Sequence, residues 1–391
     1  MYCLLKLLVR RTLRSLLWSY VFSGFLFLGG LSEFVSAQEM SRAGDVDGAY
    51  LDPRYPQGIK VLPQPPLGFS VPALPAQNHI EAVIALQTPV KSQGQRGTCS
   101  IFSATGLLES LLVAHYGASN MINLSEEWLE YVVHLRQSGS GSNSSANFRA
   151  LSNFGSPLES YLPYIGEEWE SIEASSLAEE RCGNLADQLL KICLVGHRNP
   201  LLIDLGENIL QSMDPEFAKA RQDAYSLRDT YLTSMKNGST KNIYQVAEVK
   251  TLLSRNIPIT LDVDFYYGAW NHREAANYGL TRNMDHWALG IVGYPAEDSK
   301  DRVVSHENPA GHSIVLVGYD DNVEVTVDSL MDDGTTKSFT YRGVYYFKNS
   351  WGTDKFGVQF SLNGKVYPGY GMITQKYAHD FGQFFQMLVK K

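Results

Sequence analysis

Apolar residues recur at Ile101, Phe102, Ala104, Leu107, Leu108, Leu111 and Leu112. This three-to-four spacing predicts a largely buried helix over 100–116, with Cys99 at its amino end. A second helix is predicted after Ser125, which suits a cap, with Glu126 and Glu127 in the first turn facing the positive end of the helix dipole. From 167 to 242 the helical period persists with many polar positions, as expected of an inserted helical subdomain. The pattern changes at Val246. A short helix over 246–255 gives way to a β-rich run over 257–263, and then to the strand patterns HWALGIVGY, HSIVLVGYD, VEVTVDSL and KSFTYRGVYYFKNSW. Helices first and strands later predict an α+β fold with two packed parts rather than a doubly wound sheet. No internal repeat is visible.

Three stretches stand apart from this pattern. Residues 38–78 are rich in proline and lack periodicity, which reads as an extended arm, linker or short propeptide that is either removed on maturation or lies in the cleft as a latch. The stretch SGSGSNSSAN over 138–147 reads as a flexible loop. At the amino terminus Lys6, Arg10, Arg11 and Arg14 precede the apolar run LLWSYVFSGFLFLGGL, and Val35-Ser36-Ala37 follows as a small-x-small cleavage site before Gln38. Residues 1–37 therefore read as an export signal, the alternative being an uncleaved anchor. Export would make the mature chain secreted or periplasmic. No later run is long and apolar enough to span a bilayer, so no membrane role is expected of the mature chain.

Composition narrows the functional classes. With 44% hydrophobic residues among 391, the chain has material for a large core, which excludes a disordered or collagen-like protein. The balance of 33 Lys+Arg against 41 Asp+Glu gives −8, without the basic stripe a nucleic-acid partner requires. Cys3 leaves with the signal, so Cys99, Cys182 and Cys193 remain. In an oxidising compartment two of the three should pair. Cys182 and Cys193 lie close together in one helical stretch and are the expected pair, two buried thiols being the alternative. Cys99 is left over. There is no His-Glu-x-x-His, no Cys-x-x-Cys and no phosphate loop, so neither metal nor cofactor is expected.

The left-over thiol has a chemical context. At a helix amino end the dipole and unpaired N–H groups favour thiolate over thiol. A reactive cysteine also needs a base, a group to orient that base, and donors for an oxyanion. His312 opens an apolar strand that would hold an imidazole rigidly. Asn349 sits in Lys348-Asn349-Ser350-Trp351-Gly352 and can orient the ring through one hydrogen bond, with Trp351 as cover from water. Gln93, in Gln93-Gly94-Gln95-Arg96-Gly97-Thr98-Cys99, can donate its side-chain amide beside the N–H of Cys99.

These segments resemble the papain family of cysteine peptidases. Its pattern of Gln-Gly-x-x-Gly-x-Cys, then His followed by an apolar strand ending Val-Gly-Tyr, then Lys-Asn-Ser-Trp-Gly, occurs here in order, as do Leu124-Ser125-Glu126 and Gly369-Tyr370-Gly371. In that family, too, the catalytic Cys comes first and its His and Asn partners follow far downstream. The resemblance covers roughly 80–165 and 245–380. It implies a two-lobed domain over 79–391, a helical left lobe carrying Cys99 and an antiparallel β-barrel-like right lobe carrying His312 and Asn349, with a cleft between them. It further implies hydrolysis of protein or peptide substrates through a Cys99–His312–Asn349 triad with a Gln93 oxyanion hole. Gly139, Gly141, Gly311 and Trp351 would then contact substrate.

There are departures from the family. Arg96 replaces a disulfide cysteine, and Ser100 replaces an aromatic. The Cys99-to-His312 separation exceeds the roughly 130–150 residues usual for such enzymes, as an insertion over 167–242 would cause. His286 also precedes a Val-Gly-Tyr and competes as the base, although another strand intervenes before Asn349. Two other functional classes remain open: transglutaminase-like acyl transfer, and a catalytically inactive binding protein on the same fold.

Overall fold

A computed structural model describes residues 48–59, 74–136, 139, 141–232 and 240–390. The chain divides into a unit Met1–Glu39, which lies outside the described residues along with the expected export segment, and a unit Met40–Lys391.

The first half of the second unit is helical: α1 Ile80–Ile84, α2 Cys99–Tyr116, α3 Glu126–Val133, α4 Ser144–Phe154, α5 Ser176–Cys182, α6 Asp187–Gly196, α7 Glu207–Met213 and α8 Pro215–Tyr231. The α2 helix contains no proline and ends where Gly117 turns left-handed at φ 65°. In α3, Ser125 Oγ accepts from Trp128 N at 3.0 Å and donates to the Leu162 carbonyl at 2.5 Å, so one hydroxyl caps the helix and ties it to the next loop. The expected loop over 138–147 is shorter than its composition suggested. Asn143 Oδ1 accepts from Ala146 N at 2.9 Å, and this cap starts α4 inside the polar stretch.

The second half comprises β1 Thr240–Ile243, α9 Val246–Ser254, β2 Ile259–Asp264, α10 Met284–Leu289, β3 Ile291–Val292, α11 Lys300–Glu307, β4 Gly311–Leu330, β5 Thr336–Lys348, β6 Ser361–Leu362, β7 Lys365–Val366, β8 Tyr370–Thr374, α12 Gln375–Phe381 and β9 Gly382–Met387. Seven strands form one sheet in the order β1-β9-β2-β4-β5-β8-β3, and β6 and β7 form a separate pair. All neighbours in the large sheet are antiparallel except β3 and β8. The two ends of the order do not pair, so the lobe expected to be barrel-like is an open sheet.

The first nine residues of β4 are all buried, because the strand is covered on both faces. Ile314 and Leu316 enter a core with Trp270, Tyr345 and Phe347, while Val315 and Val317 enter a core with Leu107, Leu108 and Trp128. From Asp320 onward polar positions alternate outward. The fold is therefore α+β: α2, α3, α4 and α8 pack against one face of β4, and α9 and α12 belong to the core on its other face.

One expected strand is absent. HWALGIVGY forms α10 and then only the two-residue β3, because Asn283 Oδ1 accepts from His286 N at 3.0 Å as a cap and Gly290 ends the helix at φ 69°. A short apolar run does not by itself separate strand from helix.

Candidate active site

Cys99 is the first residue of α2, so its thiol sits at the end of the helix where backbone N–H groups lack intrahelical partners. The residue is fully buried, and its Sγ lies 4.0 Å from the carbonyl oxygen of Gly311, the residue before His312. The fold thus brings the start of α2 to the start of β4. The expected pairing of the other two cysteines is present: Cys182 and Cys193 form a disulfide that joins α5 to α6.

His312 is the second residue of β4, and its Nε2 lies 2.8 Å from Asn349 Oδ1. That oxygen also accepts from Ser350 N at 2.9 Å, which identifies it as the acceptor and makes His312 Nε2 the donor. With the proton on Nε2, Nδ1 carries the lone pair of the neutral ring. Trp351 stacks on the imidazole with centroids 4.6 Å apart and planes 28° apart, while Trp270 meets it edge-on at 5.1 Å. Aromatic cover of this kind keeps water from the His312–Asn349 bond. Next to Asn349, Lys348 is pushed down to about 8 by burial, and its ammonium donates to the Thr88 carbonyl at 2.7 Å.

Gln93 is held from several sides. Its Oε1 accepts from Ser350 Oγ at 2.7 Å, its Nε2 donates to the Arg96 carbonyl at 2.9 Å, and its own carbonyl accepts from Tyr164 OH at 2.9 Å. The Ser350 hydroxyl therefore links the Gln93 amide to the residue that follows Asn349.

The remaining expected positions are less alike. Gly311 lines the thiol as described, and Trp351 covers the imidazole. Gly141 is buried at φ 83°, and its carbonyl lies 3.1 Å from His134 Nε2. Gly139 is exposed, with open space around it. His286 lies on α10 against a cavity of about 440 Å³ that Arg282 and Asp328 also line, and burial lowers its pKa.

Of the two fates the sequence left open for the arm, removal or lying in the cleft as a latch, the contacts of residues 48–50 match the second in the full chain. Residues 48–50 of the proline-rich arm lie between the start of α2 and the start of β4. The Gly48 carbonyl accepts from Ser100 Oγ at 2.7 Å and from Ser142 N at 3.3 Å, and Tyr50 N donates to the Ser142 carbonyl at 3.0 Å. A Cβ on Gly311 would meet the Ala49 oxygen at 1.7 Å, so this approach requires glycine. Beyond the groove, Gln383 Oε1 accepts from Asp52 N at 2.8 Å, and Gln383 Nε2 donates to the carbonyls of Asp52 and Tyr55. Ser142, rather than Gly139 or Gly141, pairs with the arm's main chain. Each of these contacts ends on a main-chain atom of the arm, and residue periodicity carries no signal for them.

Among the described residues no group of three or more His, Cys, Asp or Glu is arranged to hold a metal ion, and no helix is long and apolar enough to cross a membrane.

Residues 205–358 match the Peptidase_C39 like family, a span that contains His312 and Asn349 and begins after Cys99. No curated protein matches the chain. Among solved structures, the chain is similar to xylellain, a cysteine protease from Xylella fastidiosa, at 15% identity over 90% of this chain and 99% of that one, with a TM-score of 0.49. It is also similar to digestive procathepsin L 3 of the Tenebrio molitor larval midgut, at 14% identity over 88% and 77% of the two chains, with a TM-score of 0.43. The match to a peptidase family thus falls on the segment that carries His312 and Asn349, in a fold whose helical half packs against a mainly antiparallel sheet.

Proposed function

We propose that the chain hydrolyses peptide bonds with Cys99 as nucleophile, His312 as acid and base, Asn349 as the group that orients the imidazole, and Gln93 as an oxyanion donor beside the Cys99 N–H. The observation that carries this reading is the 2.8 Å contact of His312 Nε2 with Asn349 Oδ1 at the strand start whose Gly311 carbonyl lies 4.0 Å from the Cys99 sulfur.

The steps follow from the groups present. The thiol proton passes to His312 Nδ1, giving a thiolate and an imidazolium that stabilise each other. The thiolate sulfur bonds to the scissile carbonyl carbon, and the carbonyl oxygen becomes an oxyanion facing the Gln93 amide and the Cys99 N–H. As the carbon–nitrogen bond breaks, His312 gives its proton to the leaving amine. Water then loses a proton to His312 and attacks the thioester. The carbon–sulfur bond breaks, the acid product leaves, and the thiolate recovers the proton.

The arm over 48–50 fills the groove in which this chemistry would occur, so the full chain is latent and acts once the arm leaves. Export by the segment 1–37 belongs to the same reading and agrees with a disulfide in the folded chain. The substrates are proteins or peptides. The test is cleavage of a peptide library by the purified chain after limited proteolysis of the arm, beside Cys99→Ala. New amine termini with the parent chain, and none with the variant, are expected. Equal cleavage by both would overturn the assignment.

A further inference from the structure

Besides Tyr164, whose hydroxyl donates to the Gln93 carbonyl, the segment that carries Gln93 and Cys99 is tied to the helical half through the buried side chain of Arg96. The Arg96 guanidinium donates to Glu127 Oε2 at 2.8 Å, to the Ile165 carbonyl at 2.9 Å and to the Val195 carbonyl at 2.9 Å, and it lies over the Tyr164 ring at 5.2 Å. Its side chain is only 4% exposed. Its backbone carbonyl is the acceptor of the Gln93 amide. Val195 belongs to α6, the helix that the Cys182–Cys193 disulfide joins to α5. The next residue after α6, His197, is held left-handed at φ 55°, stacked on Trp169 at 3.9 Å, with Nδ1 2.8 Å from Glu127 Oε1. Burial pushes the Glu127 carboxyl up, but Arg96 and His197 outweigh it and hold the group down at about 2. Arg96 therefore anchors the loop to three segments that are far apart in sequence.

We propose that Arg96 is a positioning residue for the oxyanion site, and that through it the disulfide-closed α5–α6 pair acts on transition-state stabilisation. This inference rests on the peptidase reading above. A planar fork that makes three charge-assisted bonds fixes the loop in direction as well as distance, which lysine does only in part. A shift of the loop moves the Gln93 amide relative to a developing oxyanion while leaving Cys99 on α2. Losing one such donor outright costs about 10²–10³-fold in kcat.

The experiment compares Arg96→Lys and Arg96→Met with Arg198→Met in the arm-released protein. Arg198 is an equally buried arginine that pairs with Asp214 and Glu216. No bond from its guanidinium to the Gln93–Cys99 loop is present among the described residues, so it controls for stability. Three quantities are read: kcat on a cleaved peptide, inhibition by a peptide aldehyde, and the rate of Cys99 alkylation by iodoacetamide. The aldehyde adds to the thiol and places its oxygen in the oxyanion site, whereas alkylation forms no oxyanion.

For Arg96→Lys a loss of roughly tenfold in kcat and a parallel loss in aldehyde affinity are expected, with alkylation nearly unchanged, and Arg96→Met should lose more. Arg198→Met should lower thermal stability without this pattern. Replacing both Cys182 and Cys193 by Ser should reduce kcat in the parent chain and add little in the Arg96→Met background. Equal effects of Arg96→Lys and Arg198→Met on aldehyde binding, or a joint fall of alkylation and aldehyde binding, would overturn the inference. Should Arg96→Met not fold, the lysine variant decides. A parent chain that neither cleaves peptides nor is alkylated at Cys99 would instead defeat the peptidase reading on which this rests.

Discussion

Gly48 rests against the backbone of Cys99: a Cβ at Gly48 would lie 2.6 Å from the Cys99 nitrogen and 2.5 Å from the Gly97 carbonyl carbon. That nitrogen is one of the two donors assigned to the oxyanion site, so the arm and a substrate carbonyl compete for one space. Substituting Gly48 by valine should displace the arm while leaving the groove intact. Overpacking typically costs about 1–3 kcal/mol, and each 1.4 kcal/mol shifts the closed-to-open ratio about tenfold. The full-length Gly48→Val chain should therefore be alkylated at Cys99 about 5- to 100-fold faster than the parent. It should also cleave peptides without proteolytic activation. Unchanged labelling would mean that the arm does not guard the thiol.

The ring orientation of His312 depends on an acceptor that a truncation removes. In Asn349→Ala the Nε2–H loses its partner inside an aromatic enclosure built by Trp351 and Trp270, and the imidazole can rotate or change tautomer. Acid–base catalysis by a placed side chain contributes about 10²–10⁴-fold, so a fall in kcat of about 10²-fold is expected with little change in KM. Steady-state kinetics on the arm-released protein would check this. A change confined to KM would indicate that Asn349 contacts substrate instead.

The parts of this site that were legible in the sequence sit where regular elements begin or end. Cys99 heads a helix with a clear 3.6-residue period, and His312 and Asn349 bracket strands whose burial on both faces produces continuous apolar runs. The fold class followed from the same periods. That the arm could lie in the cleft was open in the sequence, but which of its residues do so was not legible, because Gly48 and Tyr50 meet Ser100 and Ser142 through contacts that no local period records. Arg96 was visible as a departure, but its partners Glu127, Ile165 and Val195 come from elements whose adjacency no local pattern records. The α10 helix was misread because its apolar run is too short for either period to prevail.

The Ser125 hydroxyl both caps α3 and satisfies the Leu162 carbonyl, and the helix it starts carries Glu127. Ser125→Ala removes the cap, worth about 0.5–2 kcal/mol. It also leaves a buried carbonyl without its donor, worth about 1–3 kcal/mol. A loss of about 2–3 kcal/mol in unfolding free energy is expected from urea titration. A loss below about 0.5 kcal/mol, the typical ceiling for surface changes, would show that water replaces the hydroxyl in both bonds.

Asp262 joins the two halves of the fold, since this β2 carboxylate accepts from Ser144 N at 2.8 Å and from Ser144 Oγ at 2.7 Å at the start of α4. Burial pushes its carboxyl up to about 6 from an ordinary value of 3.8, against the lowering effect of the Ser313 and Ser144 bonds, and the nearby Asp52 adds to the rise. Because the folded value is raised, the folded chain holds this proton more tightly than the unfolded chain. The associated stability is complete below the ordinary value and is lost as pH rises toward the folded value. The gap between the two values corresponds to about 3 kcal/mol. Asp262→Asn keeps a carbonyl oxygen for Ser144 N but cannot ionise. Measured by denaturant titration between about pH 4 and 7, the parent should lose up to about 3 kcal/mol relative to the variant, with the change centred between the two values. Parallel stability curves for the two proteins would mean that the carboxyl ionises as readily in the folded chain as in the unfolded one, and the bonds from Ser144 would then have to offset the whole cost of burying the charge.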